Sequence, residues 1–225
     1  MIVNAGEGRW KGAYPDRTRL EFHAMERFQL WAQPWWVNLL ILIPLVALSL
    51  WRRTGLQLTW RQLVLIALFA LAFGFGEAAV VVYLRAAVGL LPGFHGTLAD
   101  VQRSAPEFYQ QVESLNQFPQ SLLTIEVLRE AATILMLVSV AMLAAAKIRD
   151  RWAAFLWAFA IWDISYYLGL WVTIRWPASL RDLDVLFLIP VPWLAQVWFP
   201  VLVSGLTVLA IAVCKNSFKE GEKPR

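Results

Sequence analysis

The chain has 225 residues, 59% of them hydrophobic, 14% aromatic and only 16% charged, with a formal net charge of +4. Soluble domains carry about 25% charged residues, and here the apolar residues gather in long blocks, which excludes an ordinary soluble domain and leaves a polytopic membrane protein. The Lys and Arg residues flank those blocks, which points to the lipid bilayer and excludes nucleic acid as a partner, and the single cysteine, Cys214, excludes an intrachain disulfide.

The fold class that follows is all-α: an integral membrane helical bundle of five transmembrane helices plus a short N-terminal interfacial helix. Residues 1–33 read as a polar arm and an amphipathic helix over 18–33, with Leu20, Met25, Phe28 and Trp31 on one face. The first 20 residues lack the apolar core of a signal peptide, so span 1 is expected to direct insertion itself. The membrane domain is 34–214, and 215–225 is a polar cytoplasmic tail.

Span 1 covers about 34–51, with Trp35, Trp36 and Trp51 at its interfaces and Pro44 as an expected kink. Span 2, about 62–91, carries Glu77 at its middle beside a ridge of Ala70, Gly74 and Ala78 that permits close approach of another helix. Arg85 follows near its end. A polar connection over 92–120 holds His95, which with His23 reads as a surface residue rather than a ligand. Span 3, about 119–147, places Glu126, Arg129 and Glu130 at i, i+3 and i+4 on one face of an otherwise apolar helix. A tight basic turn with Lys147, Arg149 and Arg151 makes spans 3 and 4 an antiparallel hairpin. Span 4, about 152–176, puts Asp163, Tyr166 and Tyr167 on one face. Residues 177–192 read as an amphipathic segment lying on the membrane, with a re-entrant element as the alternative. Span 5 covers about 192–214, with Pro200 as an expected kink.

The basic regions 52–61, 147–151 and 215–225 should face the cytoplasm, which puts the N-terminus outside and the C-terminus inside a bacterial-type cytoplasmic membrane. The arm's own Arg9, Lys11, Arg17, Arg19 and Arg27 run against this, although Glu7, Asp16, Glu21 and Glu26 leave it nearly neutral.

An ionised side chain near the bilayer centre costs roughly 2.5–3.5 kcal/mol on insertion scales, so the intramembrane charges mark the candidate site. With this topology Glu77, Glu126, Glu130 and Asp163 converge in the outer half of the bundle as an ion or proton pathway. Arg85 and Arg129 supply counter-charge or an anion-binding pair, and Tyr166 and Tyr167 supply hydroxyl donors. Four carboxylates against two guanidiniums leave a net −2, which calls for protons, a bound cation or water. The expected pairs are Arg129 with Glu126 or Glu130, Arg85 with Glu77, and Asp163 with a tyrosine. Three functions compete: movement of protons or small cations, the leading one; an accessory or structural subunit, as a homo-oligomer or in a larger membrane complex; and an enzyme acting on a lipid-type substrate. No cofactor is evident, although the carboxylates admit a hard divalent cation such as Mg²⁺, Mn²⁺ or Ca²⁺. The spans hold no histidine, and neither HExxH nor GxSxG is present.

Overall fold

The computed structural model describes residues 31–87 and 120–220, and the side chains of 31–83 and 123–215. A 3₁₀ segment, Trp35–Ile41, continues as α1, Leu42–Thr54. There follow α2, Trp60–Ala87; α3, Gln120–Ala144; and α4, Ile148–Ile174. A β-hairpin of β1, Leu183–Phe187, and β2, Trp193–Gln196, precedes α5, Trp198–Glu220. The described residues contain five helices long and apolar enough to cross a membrane. Their outward side chains are large and apolar, among them Leu135, Leu143, Leu68 and Leu45. Such a surface is intolerable in water and ordinary in lipid.

Pro44 is the third residue of α1. It lies inside a continuous helical run, in the turn that follows the change of winding from 3₁₀ to α. Pro200 likewise falls in the first turn of α5 and starts the helix instead of bending it. Gly55 ends α1 at φ 64°, donating its N–H to Trp51 O at 2.8 Å. Thr59 and Gln62 form a reciprocal cap on α2: Thr59 Oγ1 accepts the Gln62 N–H at 3.2 Å, and Gln62 Oε1 accepts the Thr59 N–H at 2.8 Å. Gln62 Nε2 also donates to Ala144 O, tying the start of α2 to the end of α3.

Helix α4 is the hub and the most buried of the five, packing on α2, α3 and α5, while α1 packs on α5. Its seam with α2 is parallel and close. Trp157 Nε1 donates to Leu63 O at 2.9 Å, and Ser165 Oγ to Leu71 O at 2.7 Å. The predicted small-residue ridge lies in this seam: Ala70 and Ala78 are fully buried, and a Cβ at Gly74 would sit 2.5 Å from Trp162 O. The turn between α3 and α4 is only 145–147, so these helices form the expected hairpin, with Arg149 and Arg151 already in the first turn of α4.

The segment 177–192 is not an amphipathic surface helix. It forms a β-hairpin that turns back against the bundle, with Leu183 opposite Gln196 and Val185 opposite Leu194. Phe187 packs against Phe159 at 6.1 Å and Trp162 at 6.3 Å between centroids. Phe159 is roughly 16 Å along α4 from its start, about half-way through a hydrocarbon core. Non-helical backbone at such a depth must have its polar groups met by protein. The loop residues Pro190 and Pro192 carry no N–H, and the Leu188 N–H is taken by Glu130. Gln33 pairs with Leu194 through two 2.7 Å hydrogen bonds, covering part of the β2 edge. Residues 31–33 are therefore extended rather than the end of a helix; the remainder of the expected 18–33 helix, with the 1–17 arm and most of the 92–120 connection, lies outside the described residues. Since β2 occupies 193–196, the last helix starts at Trp198 and not at 192.

Candidate functional site

Parallel packing of α2 on α4 puts Glu77 and Asp163 along one seam, and α3 runs back beside them with Glu130. In the register of the seam, where Leu63 meets Trp157 and Leu71 meets Ser165, Asp163 lies about two turns nearer the basic end than Glu77. They line one cavity of about 100 Å³ between α2, α3, α4, α5 and the hairpin. Glu126, Arg129, Tyr166 and Tyr167 line it too, as do Thr133, Asp184 and Ser204. Of the eight residues expected at the site, Arg85 alone is not placed there; it is in the last turn of α2, and its side chain lies outside the described residues.

Arg129 is the hub of an ion triad. Its Nη2 and Nε hold Glu126 in a fork at 2.7 and 3.1 Å, and its Nη1 pairs with Glu77. Thr133 Oγ1 donates to the other oxygen of Glu77 at 2.5 Å. The expected pairing of Arg129 with Glu126 is present. The counter-charge of Glu77 is Arg129, however, and not Arg85. Glu130 does not pair with Arg129; its Oε2 accepts the Leu188 N–H at 2.8 Å. Asp163 accepts from Ser204 Oγ of α5 at 2.8 Å rather than from a tyrosine. The tyrosine goes to the hairpin: Tyr167 Oη donates to Asp184 Oδ2 at 2.6 Å, and Asp184 Oδ1 accepts the Val185 N–H. Tyr166 stacks on Trp162 and meets Tyr167 edge-on at 5.3 Å.

Exposure falls from rim to floor. Arg129 and Glu126 are 23% and 18% exposed, whereas Glu77, Glu130 and Asp163 are buried. Five carboxylates, Glu77, Glu126, Glu130, Asp163 and Asp184, surround the cavity with Arg129 as the one cation among its described lining residues. Two ionised carboxylates 4 Å apart repel by about 4 kcal/mol at an effective dielectric of 20. A set so unbalanced needs protons or a bound cation. Among the described residues no three His, Cys, Asp or Glu side chains are gathered in a way that could hold a metal ion. Aromatic rings of Phe159, Trp162, Phe187, Trp193 and Phe199 complete the wall, and the indole N–H groups of Trp162 and Trp193 are buried without an acceptor among the described residues.

Below Glu77 and Asp163 the core of the bundle is mainly apolar. Leu63, Ile66, Leu137, Ala153, Ala154, Trp157, Ala158 and Ile211 form a packed apolar core down to the basic end. No charged residue of α2, α3, α4 or α5 lies in that stretch before Arg61, Arg151 and Lys215, with Asp150 next to Arg151. Asp150 is itself closed off, accepting the Gln57 N–H at 2.9 Å. The carboxylate array thus spans one half of the bundle only.

Asp184, Thr133 and Ser204 are the site residues that sequence reasoning passed over. The one available signal was Asp184, an acid set directly before the apolar run 185–189. No protein-family model, curated protein or solved structure matches the chain, so the site is read from its own residues.

Proposed function

We infer that the protein moves protons or small cations across a membrane, working as a carrier with the carboxylate cavity as its loading station. The observation that carries this reading is the charge balance, five carboxylates to one guanidinium around one cavity. Intramembrane carboxylates are the usual material of proton relays. The apolar core argues for a carrier over an open channel, because among the described residues of α2 to α5 an ion passing the level of Asp163 meets no charged side chain before the basic end. Among the described residues no three carboxylates gather closely enough to hold a metal ion, which favours protons or a monovalent ion over a divalent one. In this reading the hairpin end faces outward and the basic end faces the cytoplasm of a bacterial-type membrane.

A second reading has its own support. Glu130 and Asp184 are both used to hold the hairpin, and such pairing suits an accessory subunit whose polar groups fix the packing for a homo-oligomer or a larger complex. The lipid-enzyme reading is weaker, since Arg129 is already held between two glutamates and has little left for a phosphate. Proteoliposomes of the purified chain under pH, Na⁺ and K⁺ gradients separate the first two. A carrier gives flux above empty liposomes, sharply reduced in Glu77→Gln and Asp163→Asn. An accessory subunit gives none under any gradient, even from well-folded wild-type protein.

A further inference from the structure

The opposite end of the bundle carries a second feature, unrelated to the cavity. Arg52 and Arg53 end α1, Arg61 begins α2, Lys147, Arg149 and Arg151 surround the α3–α4 turn, and Lys215 lies on α5. Hydrogen bonds place these segments together: Gln62 Nε2 reaches Ala144 O, Asp150 holds the Gln57 N–H, and Arg149 Nη1 reaches Thr54 O. The only acid described at this end, Asp150, is buried.

An apolar groove of about 100 Å³ leaves this end along the α3–α4 seam. Val138, Ala141 and Met142 form one wall, and Ile148, Trp152 and Phe155 the other. The groove passes from Ile148 and Trp152 at the helix ends to Val138 and Phe155 about two turns deeper. Arg151 stands at its basic end. Its Nε donates to Ala145 O at 2.8 Å, which orients the guanidinium, and neither Nη group has an ion pair among the described residues. A held, planar fork with two free donors is the group that recognises a phosphate in bidentate fashion. An apolar slot running from it towards the membrane centre suits one acyl chain.

We propose that the α3–α4 groove is a specific site for an anionic phospholipid, whose phosphate sits on Arg151 and whose acyl chain lies between Val138, Met142 and Phe155. The general rule that cytoplasmic loops are basic accounts for the charges. It does not account for an oriented guanidinium at the end of an apolar groove. Basic pockets between helices on this side of a membrane are a known setting for anionic headgroups.

The test is native mass spectrometry of the full chain released from nanodiscs of equal phosphatidylglycerol and phosphatidylcholine. Wild type should retain one phosphatidylglycerol in preference to phosphatidylcholine, by about fivefold or more. Arg151→Gln should abolish the preference, Arg151→Lys should weaken it by losing the fork, and Val138→Trp should expel the lipid by filling the slot while leaving every charge in place. Arg53→Gln, a change of equal charge outside the groove, should retain the lipid. The proposal is overturned if wild type shows no preference, if Arg53→Gln loses as much as Arg151→Gln, or if Val138→Trp keeps the lipid. The last arm covers the case in which Arg151→Gln fails to fold.

Discussion

Arg129 shows how a single residue makes a costly cluster bearable. Glu77 is 5% exposed, and Glu126 sits at the cavity rim; the guanidinium meets both, and Thr133 adds a hydroxyl to Glu77. Removing one partner of a buried ion pair strands the other charge, at a cost of about 3–5 kcal/mol, whereas removing both costs far less. Arg129→Met should therefore lower the thermal unfolding midpoint in detergent strongly, and Arg129→Met combined with Glu77→Gln should recover much of the loss. Equal midpoints for the single and double variants would show that the triad is not coupled. Thr133→Val adds a smaller loss, about 1–3 kcal/mol, because Glu77 keeps its charge partner and loses only a hydrogen bond to a charged group.

Among the elements, the α2–α4 seam is the part whose packing was readable beforehand. Small residues at Ala70, Gly74 and Ala78 announce a close contact, and the contact is there. A methyl group at Gly74 meets Trp162 O at 2.5 Å and Ser165 Cβ at 2.9 Å, while one at Gly76 meets nothing within 4 Å. Gly74→Ala should destabilise the bundle by about 1–3 kcal/mol through overpacking. Gly76→Ala should be neutral or stabilise it by up to about 1 kcal/mol, through helix propensity alone. Equal unfolding midpoints for these two variants would refute the seam. The five long helices were legible for a similar reason: a bilayer demands continuous apolar runs. The charged site residues of the spans stood out because any acid in such a run is expensive. The hairpin was not legible. Its residues 183–187 are apolar on both faces except for Asp184, and what holds them is distant in sequence: Phe159, Trp162, Glu130 and Tyr167. Asp184 in a connection looks ordinary. Ser204 and Thr133 look ordinary as well, since helical hydroxyls commonly bond the carbonyl one turn back, as Ser139, Thr173 and Thr207 do here.

At the scale of the whole molecule, charge is divided between two ends. The basic end gathers Arg52, Arg53, Arg61, Lys147, Arg149, Arg151 and Lys215, and the other half holds the carboxylate cavity. Positive residues in short connections tend to stay in the cytoplasm during insertion, and on that rule the proposed direction of the cavity is outward. The two chain ends of the spans agree: α1 runs towards the basic end, as Thr54 O accepts from Arg149, and α5 also ends there, as Cys214 lies against Leu48 O. An odd number of crossings must place the segments before span 1 and after span 5 on opposite sides. In a Cys214→Ser background, a membrane-impermeant maleimide added to intact cells should label Ala178→Cys, in the exposed turn before β1, and should label Arg53→Cys only after permeabilisation. The reverse pattern would turn the cavity to the cytoplasm, so that a carrier would load from inside, and would place the Arg151 groove in the outer leaflet. Labelling of both positions from one side would be incompatible with the parallel α2–α4 pair, because Arg53 precedes α2 at its start and Ala178 follows α4 at its end.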